Sequence, residues 1–473
     1  MLAIENEQYI GPWDMEVDVA IAGAGGAGLE AALEAASAGV DTIVLEKQAR
    51  IWESSTAISV GRISFAGTDI QKRHGIRDSN DLFYQDIMEV GGQKNDPRLV
   101  QAYVDNQMAA RYQLNELGIK WAGTVCAAAG MSLPRGHLTD PLDLVNTLRR
   151  VIEMKGVPVL FQTPVTGLLS DANKRVIGVK VQERTGTATR IRAKNGVVLA
   201  SGGFARDTQR LVSINQKFNR VVATSGAGNT GDGLKMAEAL GADTKDMEHI
   251  KPSFELHVNG TSAQDIFLLY LLGGIIVNKR GQRFVNESIS YKDIGMLCLD
   301  QPGAVGYQII DQGVYDRAVQ ERRKSGLESP LGLDAAKSRL LVKGSTVEEL
   351  AQKIGVPPQA LRNTIDRYNL FVGSGKDLDF GRCTMAGNYG KPVMIDTPPF
   401  YSCETIAHLL ATYGGIAVDE DMHVLTASGK IPGLYAAGEL VGGFHGASYH
   451  SGTALGKALI FGRIAGRSAA LGR

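Results

Sequence analysis

Scarcity decides several questions at the outset. The chain carries only four cysteines, Cys126, Cys298, Cys383 and Cys403. They are scattered and no two have CxxC spacing, which argues against a disulfide framework, a zinc site or an iron–sulfur cluster, so no metal is expected. CxxCH is missing, which excludes attached c-type haem. Neither sign of charge is in excess: Lys+Arg and Asp+Glu stand at 50 each. Nothing therefore favours nucleic acid or an anionic membrane as a partner. Long hydrophobic runs are also wanting. The longest, FLLYLLGGIIV at 267–277, is broken by two glycines and is too short to span a bilayer. The opening MLAIENEQYIGPWD has neither a basic n-region nor an apolar h-region, so no secretion signal is expected and a reducing cytoplasm is the simplest compartment.

Glycine, by contrast, is abundant. The 57 glycines in 473 residues are roughly 12% of the chain against a usual value near 7%. They follow no collagen-like period. They cluster at the ends of expected strands, as in loops that cradle phosphates and cofactors. The length exceeds what one core usually serves and suggests two domains. Apolar content of 44% and charged content of 21% fit a soluble globular protein.

Residues 17–22, VDVAIA, suit a buried parallel strand. GAGGAG follows at 23–28, with Gly23, Gly25 and Gly28 in GxGxxG register, and then LEAALEAASAG reads as a helix closed by Gly39. A second strand, DTIVLE, ends on Glu46. A glycine triplet between strand and helix, with an acid closing the next strand, is a strong dinucleotide signature. Gly23 permits the tight turn, Gly25 admits the pyrophosphate to the backbone, and Gly28 lets helix and strand approach. The helix N-terminus offers N–H groups and partial positive charge to phosphate. Glu46 would accept from ribose hydroxyls.

This motif does not separate FAD from NAD. The C-terminal stretch HVLTASGKIPGLYAAGELVGG (423–443) reads as a strand, a turn at Pro432-Gly433, another strand and then Glu439. That return to a Rossmann core is the pattern of two-dinucleotide-type flavoproteins, with Glu439 placed for the ribityl chain. GASYHSGTALG (446–456) then opens the last helix. Its small residues are read as a bed for the flavin ring, and its N-terminus as a stabiliser of negative charge on reduced flavin. Tyr449, just before the helix, is placed to reach a substrate beside the ring.

With these motifs the chain resembles the FAD-dependent fumarate reductase/succinate dehydrogenase flavoproteins, a family that includes ketosteroid dehydrogenases. The likeness runs from about residue 14 to the C-terminus. It is carried by VAIAGAGGAGLEAALEAASAG, SGGFARD (201–207), GNTGDGLKMAEALGAD (228–243), IIVNKRGQRFVNES (275–288) and the closing GLYAAGE…SGTALGKALIFGRIAGRSAA. The resemblance implies an α/β fold: a Rossmann-like FAD-binding domain of two-dinucleotide type with an inserted α+β cap domain. The FAD domain is expected at 1–247 and 412–473, and the cap at 248–411, with VNKRGQRFVNE facing the ring. The expected cofactor is FAD, bound non-covalently, since SSTAISVG (54–61) lacks the histidine that covalent members present. Its expected binding residues in the first half are Gly23, Gly25, Gly26, Ala27, Gly28, Glu46, Lys47, Ser55, Thr56, Ser59, Gly61, Val165, Ser201, Gly202 and Gly203. Beyond them come Thr230, Asp232, Gly414, Gly438, Glu439, Gly452, Ala454 and Leu455.

Fumarate reductases of this family use an arginine after FVNE as proton donor, and clamp substrate carboxylates with another arginine and with histidines. This chain departs at each place. Tyr291 stands at the proton donor and Tyr449 at the clamping arginine, while Ser253 and Ala411 stand at the histidines. Burying a dicarboxylate with so few charges to meet it would cost several kcal/mol. The replacements resemble the ketosteroid dehydrogenase branch, and SYHSGT is nearest the 3-ketosteroid 4-dehydrogenase pattern through Tyr449 and Ser451.

Desaturating a ketone removes a proton from Cα and a hydride from Cβ, the hydride passing to flavin N5. The site needs a donor to the ketone oxygen and a base at Cα. Tyrosine can be either, although a free phenol titrates near about 10 and must be activated to act as base. Tyr291 as base, helped by Tyr270, with Tyr449, Ser451 and the Gly452 N–H polarising the ketone, is the leading assignment. The reverse, with Tyr449–Ser451 as proton relay and Tyr291 as donor, stays open, since sequence does not decide between them. Tyr413, Gly452, Ser253 and Phe267 are expected to bind substrate. His408 reads as a core histidine, and His445 as a support for the loop beneath the flavin. Arg62 reads as solvent-facing, or as a partner for a carboxylate on a small keto acid.

The leading expectation is an FAD-dependent dehydrogenase acting on CH–CH groups of a cyclic ketone, either a 3-ketosteroid or a substituted cyclohexanone such as an oxocyclohexanecarboxylate. Its electron acceptor is open among quinone, carrier protein and O2. The alternative is an enone or enoate reductase like fumarate reductase. A third reading is a non-catalytic flavoprotein, and against it the proton-side residues are exchanged for another workable set rather than erased.

Overall fold

The computed structural model describes residues 4–128, 130–182, 187–261, 265–325, 332–385 and 390–472, with only the backbone of 322–325. Strand β1 (Met15–Ala22) is buried from Val19 to Ala22, as a central parallel strand requires. Helix α1 (Gly26–Ser37) follows, then β2 (Thr42–Leu45), every residue of which is buried. A meander of β3 (Val165–Ser170), β4 (Val176–Gln182) and the long β5 (Ala188–Leu199) returns to lie parallel to β1. The first half of β5 pairs with β4 antiparallel.

A second sheet is built around β9, assembled from β6 (Ser253–His257), β7 (Ile275–Val277), β8 (Val305–Ile310) and β9 (Phe400–Leu409). Helix α2 (Tyr291–Cys298), capped by Ser290, packs against β6 and β9. Its Gly295 lies so near that a Cβ would stand 2.1 Å from the Pro252 carbonyl oxygen. The chain then returns to the first sheet through β10 (His423–Thr426) and β11 (Gly429–Ala436). The hairpin turn falls at Thr426–Gly429; β11 continues through Pro432 and Gly433, where the sequence suggests a turn, but Gly433 takes φ +74° and the pairing with β10 shifts register across this segment. Pro432 is tolerated because β11 meets β5 only from Leu434 onward.

The last helix, α3 (Thr453–Leu471), lies on α1. Gly462 and Gly466, one turn apart, face α1 so closely that Cβ atoms there would stand 2.3 Å from the Ala27 and Ala31 carbonyl oxygens. The glycines of the closing motif thus serve helix packing.

Register fixes the site. Ala22 pairs with Leu45 on one side and with Leu199 on the other, and Leu199 pairs with Ala436. Four parallel strands therefore end level, and the loops that leave them are GAGGAG, Glu46-Lys47, Ser201-Gly202 and Gly438-Glu439. Ligands bind at this carboxyl edge in open α/β sheets. Among the described residues, no helix is long and apolar enough to cross a membrane.

Candidate active site

One continuous cavity starts at this edge and runs beneath the second sheet. Gly23, Gly25, Gly26, Ala27, Glu46 and Lys47 line one end, and Tyr291, Lys292, Tyr413, Tyr449, Ser451 and Gly452 line the other.

At the first end the backbone is arranged for a phosphate. A Cβ on Gly28 would stand 1.8 Å from the Gly23 carbonyl oxygen, so only glycine closes this turn. A Cβ on Gly25 would meet nothing nearer than 3.9 Å, and that open face looks into the cavity beside the start of α1. Glu46 is preset: its two oxygens accept the N–H groups of Ala24 and Gln48 at 2.8 and 2.7 Å. Lys47 reaches Asp232 at 2.5 Å and Thr230 at 2.7 Å, and Thr56 Oγ1 accepts the Gly26 N–H. Further in, Glu439 accepts from the Thr412 N–H and from Asn229 Nδ2, both at 2.8 Å. Burial raises the Glu439 carboxyl above its usual range, with those donors opposing the shift.

The remaining cavity-lining residues of the cofactor set are Ser55, Thr56, Ser59, Val165, Ser201, Gly202, Asp232, Ala454 and Leu455. Others stand one layer behind. Gly203 makes room for Glu439, Gly438 for Ala27, Gly414 for Asp246 and Gly61 for Thr139. Thr230 acts through Lys47 and Asp232. The small residues of GASYHSGTALG are also explained differently from the flavin bed read from sequence. Cβ atoms on Gly446, Gly452 and Gly456 would stand 2.6 Å from the Gly91 oxygen, 2.5 Å from Ser64 Oγ and 2.1 Å from the Tyr103 hydroxyl. Neighbouring protein, more than ligand, keeps them small.

At the far end, Gly452 adopts φ +82° and caps α3. Its N–H is therefore not free for a ketone: it donates to the Tyr449 hydroxyl oxygen at 2.9 Å. Tyr449 stacks on Tyr413 with centroids 5.0 Å apart and planes 7° from parallel. Ser451 accepts from Arg62 at 3.1 Å, so Arg62 faces the cavity rather than solvent. Burial drives the Tyr291 phenol well above its usual value, with Arg62 and Ser451 pulling the other way. Tyr449 is also raised by burial, and the Gly452 N–H and Arg62 hold it back.

Two expected residues fall outside the cavity. Tyr270 is fully buried and its hydroxyl donates to the Phe254 carbonyl at 3.3 Å, a bond within the core. Phe267 is fully buried against His257, while its neighbours Ile266 and Leu268 line the cavity. The VNKRGQRFVNE stretch does not line the cavity either. It spends Arg283 and Glu287 on a buried ion-pair cluster with Asp377 and Arg382. Ser253 does line the cavity. His408 is satisfied, as expected, between Thr224 at 2.6 Å and Glu255 at 3.2 Å.

Sequence reasoning missed Glu255, Lys292 and Lys457, all on the cavity wall. Glu255 was findable, because strand alternation puts 253 and 255 on one face. Lys292 adjoins Tyr291 in the first turn of α2. His445 also lines the cavity, and both of its ring nitrogens are buried without a partner, as is Ser201 Oγ. Orphaned polar atoms on a cavity wall fit a polar ligand. Together with the open Gly25 face and the preset Glu46 and Glu439, they fit FAD laid along the cavity.

Fold and site define an FAD-dependent oxidoreductase. Residues 18–455 match the family described as FAD binding domain, and the chain belongs to it. It is 31% identical over 462 residues to the fumarate reductase (cytochrome) of Shewanella frigidimarina, covering 96% of this chain and 77% of that one. The open conformation of a flavocytochrome c3 fumarate reductase superposes with TM-score 0.82 at 28% identity, over 97% of this chain and 79% of the other. The 3-ketosteroid-Δ4-(5α)-dehydrogenase of Rhodococcus jostii RHA1 superposes with TM-score 0.76 at 27% identity, over 99% and 100%. The chain therefore sits in the fumarate reductase and ketosteroid dehydrogenase group of flavoproteins.

Proposed function

We propose that the protein desaturates a cyclic ketone, a 3-ketosteroid or a substituted cyclohexanone, at its α,β bond. Bound FAD, held non-covalently, supplies the two-electron hydride acceptor. The chain's own residues handle the proton and the carbonyl.

The carrying observation is the Tyr449 oxygen, which accepts the Gly452 N–H at the start of α3. A donor and a helix N-terminus both stabilise a phenolate. This supports Tyr449 as the base that takes the Cα proton, with Ser451 beside it. Tyr291, on the same wall of the cavity, then donates to the ketone oxygen as negative charge develops there. Tyr413 fixes the plane of Tyr449 by stacking. The apolar wall from Ile266, Leu268 and Leu410 suits a saturated ring. The cap function of 248–411 accords with Tyr291, Ser253 and Leu268 lining the cavity from that side. The structural likeness to a 3-ketosteroid-Δ4-(5α)-dehydrogenase supports the same chemistry.

The test is product mass. A cyclic ketone incubated with holoenzyme and an artificial electron acceptor should lose two hydrogens per turnover, and a ketone carrying two deuteriums at the reacting Cβ should give a product that keeps one of them. Absence of any two-hydrogen loss across steroid and monocyclic ketones would remove the reading. Quinones, carrier proteins and O2 compete as the acceptor, and reoxidation rates of reduced enzyme would rank them.

A further inference from the structure

Lys292 is 2% exposed, yet it belongs to the cavity wall. Its ammonium lies 5.2, 5.6 and 5.7 Å from the ring centroids of Tyr413, Tyr291 and Tyr449. Among the described residues no carboxylate lies within ion-pair distance of it. The two acids that act on it, Glu255 and Glu439, are engaged elsewhere. Glu255 receives His408 at 3.2 Å, and Glu439 receives Thr412 and Asn229. A buried ammonium without an anion costs several kcal/mol, and aromatic faces offset only part of this.

Charge around the reacting end points the same way. Arg62, Lys292 and Lys457 line it against Glu255 and Glu439, leaving one cation in excess. Lys457 is spent on the Val441 carbonyl at 2.8 Å, and Arg62 donates to Ser451 beside the phenols. Lys292 alone of the three presents its head to the cavity without a hydrogen-bonding oxygen.

We propose that Lys292 anchors a carboxylate on the substrate. This rests on the cyclic-ketone reading and narrows it to a cyclic keto acid, with the ketone at Tyr291 and the acid at Lys292. A bulky neutral steroid would leave the cation unpaired.

Burial lowers the Lys292 ammonium to about 8, against the pull of Glu255 and Glu439. The groups facing it are those two acids, His445 and the three tyrosines. The anchor is present below that pH and is lost as pH rises through it.

The test uses oxidised, FAD-loaded enzyme and a probe that cannot react. Cyclohexanecarboxylate and its methyl ester are titrated by calorimetry at pH 7. In the wild type the acid should bind about ten- to a hundred-fold more tightly than the ester. In Lys292→Met that ratio should fall toward one, and Lys292→Arg should keep part of it. Equal binding of acid and ester by the wild type would overturn the anchor without any variant. So would a ratio that survives in Lys292→Met, since Arg62 would then be the binding cation. The underlying reading fails separately: 4-oxocyclohexanecarboxylate would bind with the same preference and leave the flavin oxidised.

Discussion

Glu30 should make the enzyme less stable as pH rises through neutrality, and its replacement by glutamine should remove that dependence. The side chain sits in α1, two residues past the glycine motif, and is 0% exposed. Neither carboxyl oxygen has a hydrogen-bond partner. The arginines nearby are taken by Glu34, which receives Arg463 at 2.9 Å and Arg467 at 2.7 Å. Burial therefore pushes Glu30 up to about 8 from 4.5, with Arg463 opposing. Unfolded, it titrates near 4.5. Between the two values the folded state holds a proton that the unfolded chain has released, so stability falls with pH across that window. At about 1.4 kcal/mol per pH unit the upper bound is about 5 kcal/mol by pH 8, and relaxation around the charge would reduce it. Glu30→Gln has nothing to titrate. Its stability relative to wild type should be level below pH 4.5 and climb steadily from pH 5 to 8. Denaturant unfolding of both proteins at half-unit pH steps reads this directly. A difference that stays constant over that range would refute the argument.

Other outcomes follow from the site. Tyr449→Phe should slow flavin reduction by a cyclic ketone about 10²- to 10⁴-fold, the usual worth of a positioned base, as stopped-flow absorbance would record. If it slows no more than Tyr270→Phe, the base assignment fails. Tyr291→Phe should lower kcat with less effect on KM, because its bond strengthens only as charge develops on the ketone oxygen. Gly28→Ala should yield protein without bound flavin, since its Cβ would meet the Gly23 oxygen at 1.8 Å; a normal flavin-to-protein absorbance ratio would contradict this. Acid precipitation of wild type should release all yellow colour into the supernatant, and colour left in the pellet would mean a covalent link.

The dinucleotide end was legible because one short segment carries all its constraints. Gly23, Gly25, Gly28 and Glu46 lie within 24 residues; Gly23, Gly28 and Glu46 each have a steric or hydrogen-bonding reason to be what they are, and Gly25 leaves an open face to the cavity. The reacting end draws on segments near 62, 253, 291, 413, 445 and 450; the second sheet and α2 supply those near 253, 291 and 413, while Ser64 and Arg62 tie the segment near 62 to Ser451 and Gly452. Resemblance found Tyr291 and Tyr449 there, but it could not find Lys292, since nothing in SYKD says which way the lysine turns. Tyr270 and Phe267 failed through facing: in an irregular apolar stretch the residues that line a cavity and those that fill the core look alike. At Pro432-Gly433 the chain makes a local irregularity inside β11 instead of the hairpin turn: Gly433 sits at φ +74° against the Val176 carbonyl, and the proline interrupts no ladder to β5, which pairs only from Leu434.

The most direct test of the central claim is anaerobic. Oxidised holoenzyme is mixed with 4-oxocyclohexanecarboxylate, cyclohexanone, a 3-ketosteroid and succinate in turn, and flavin absorbance is followed. The account predicts bleaching by a cyclic ketone, fastest with the keto acid, and none with succinate. If no ketone bleaches the flavin, while chemically reduced enzyme is reoxidised by fumarate or another enoate, the protein is a reductase and the roles given to its tyrosines are wrong.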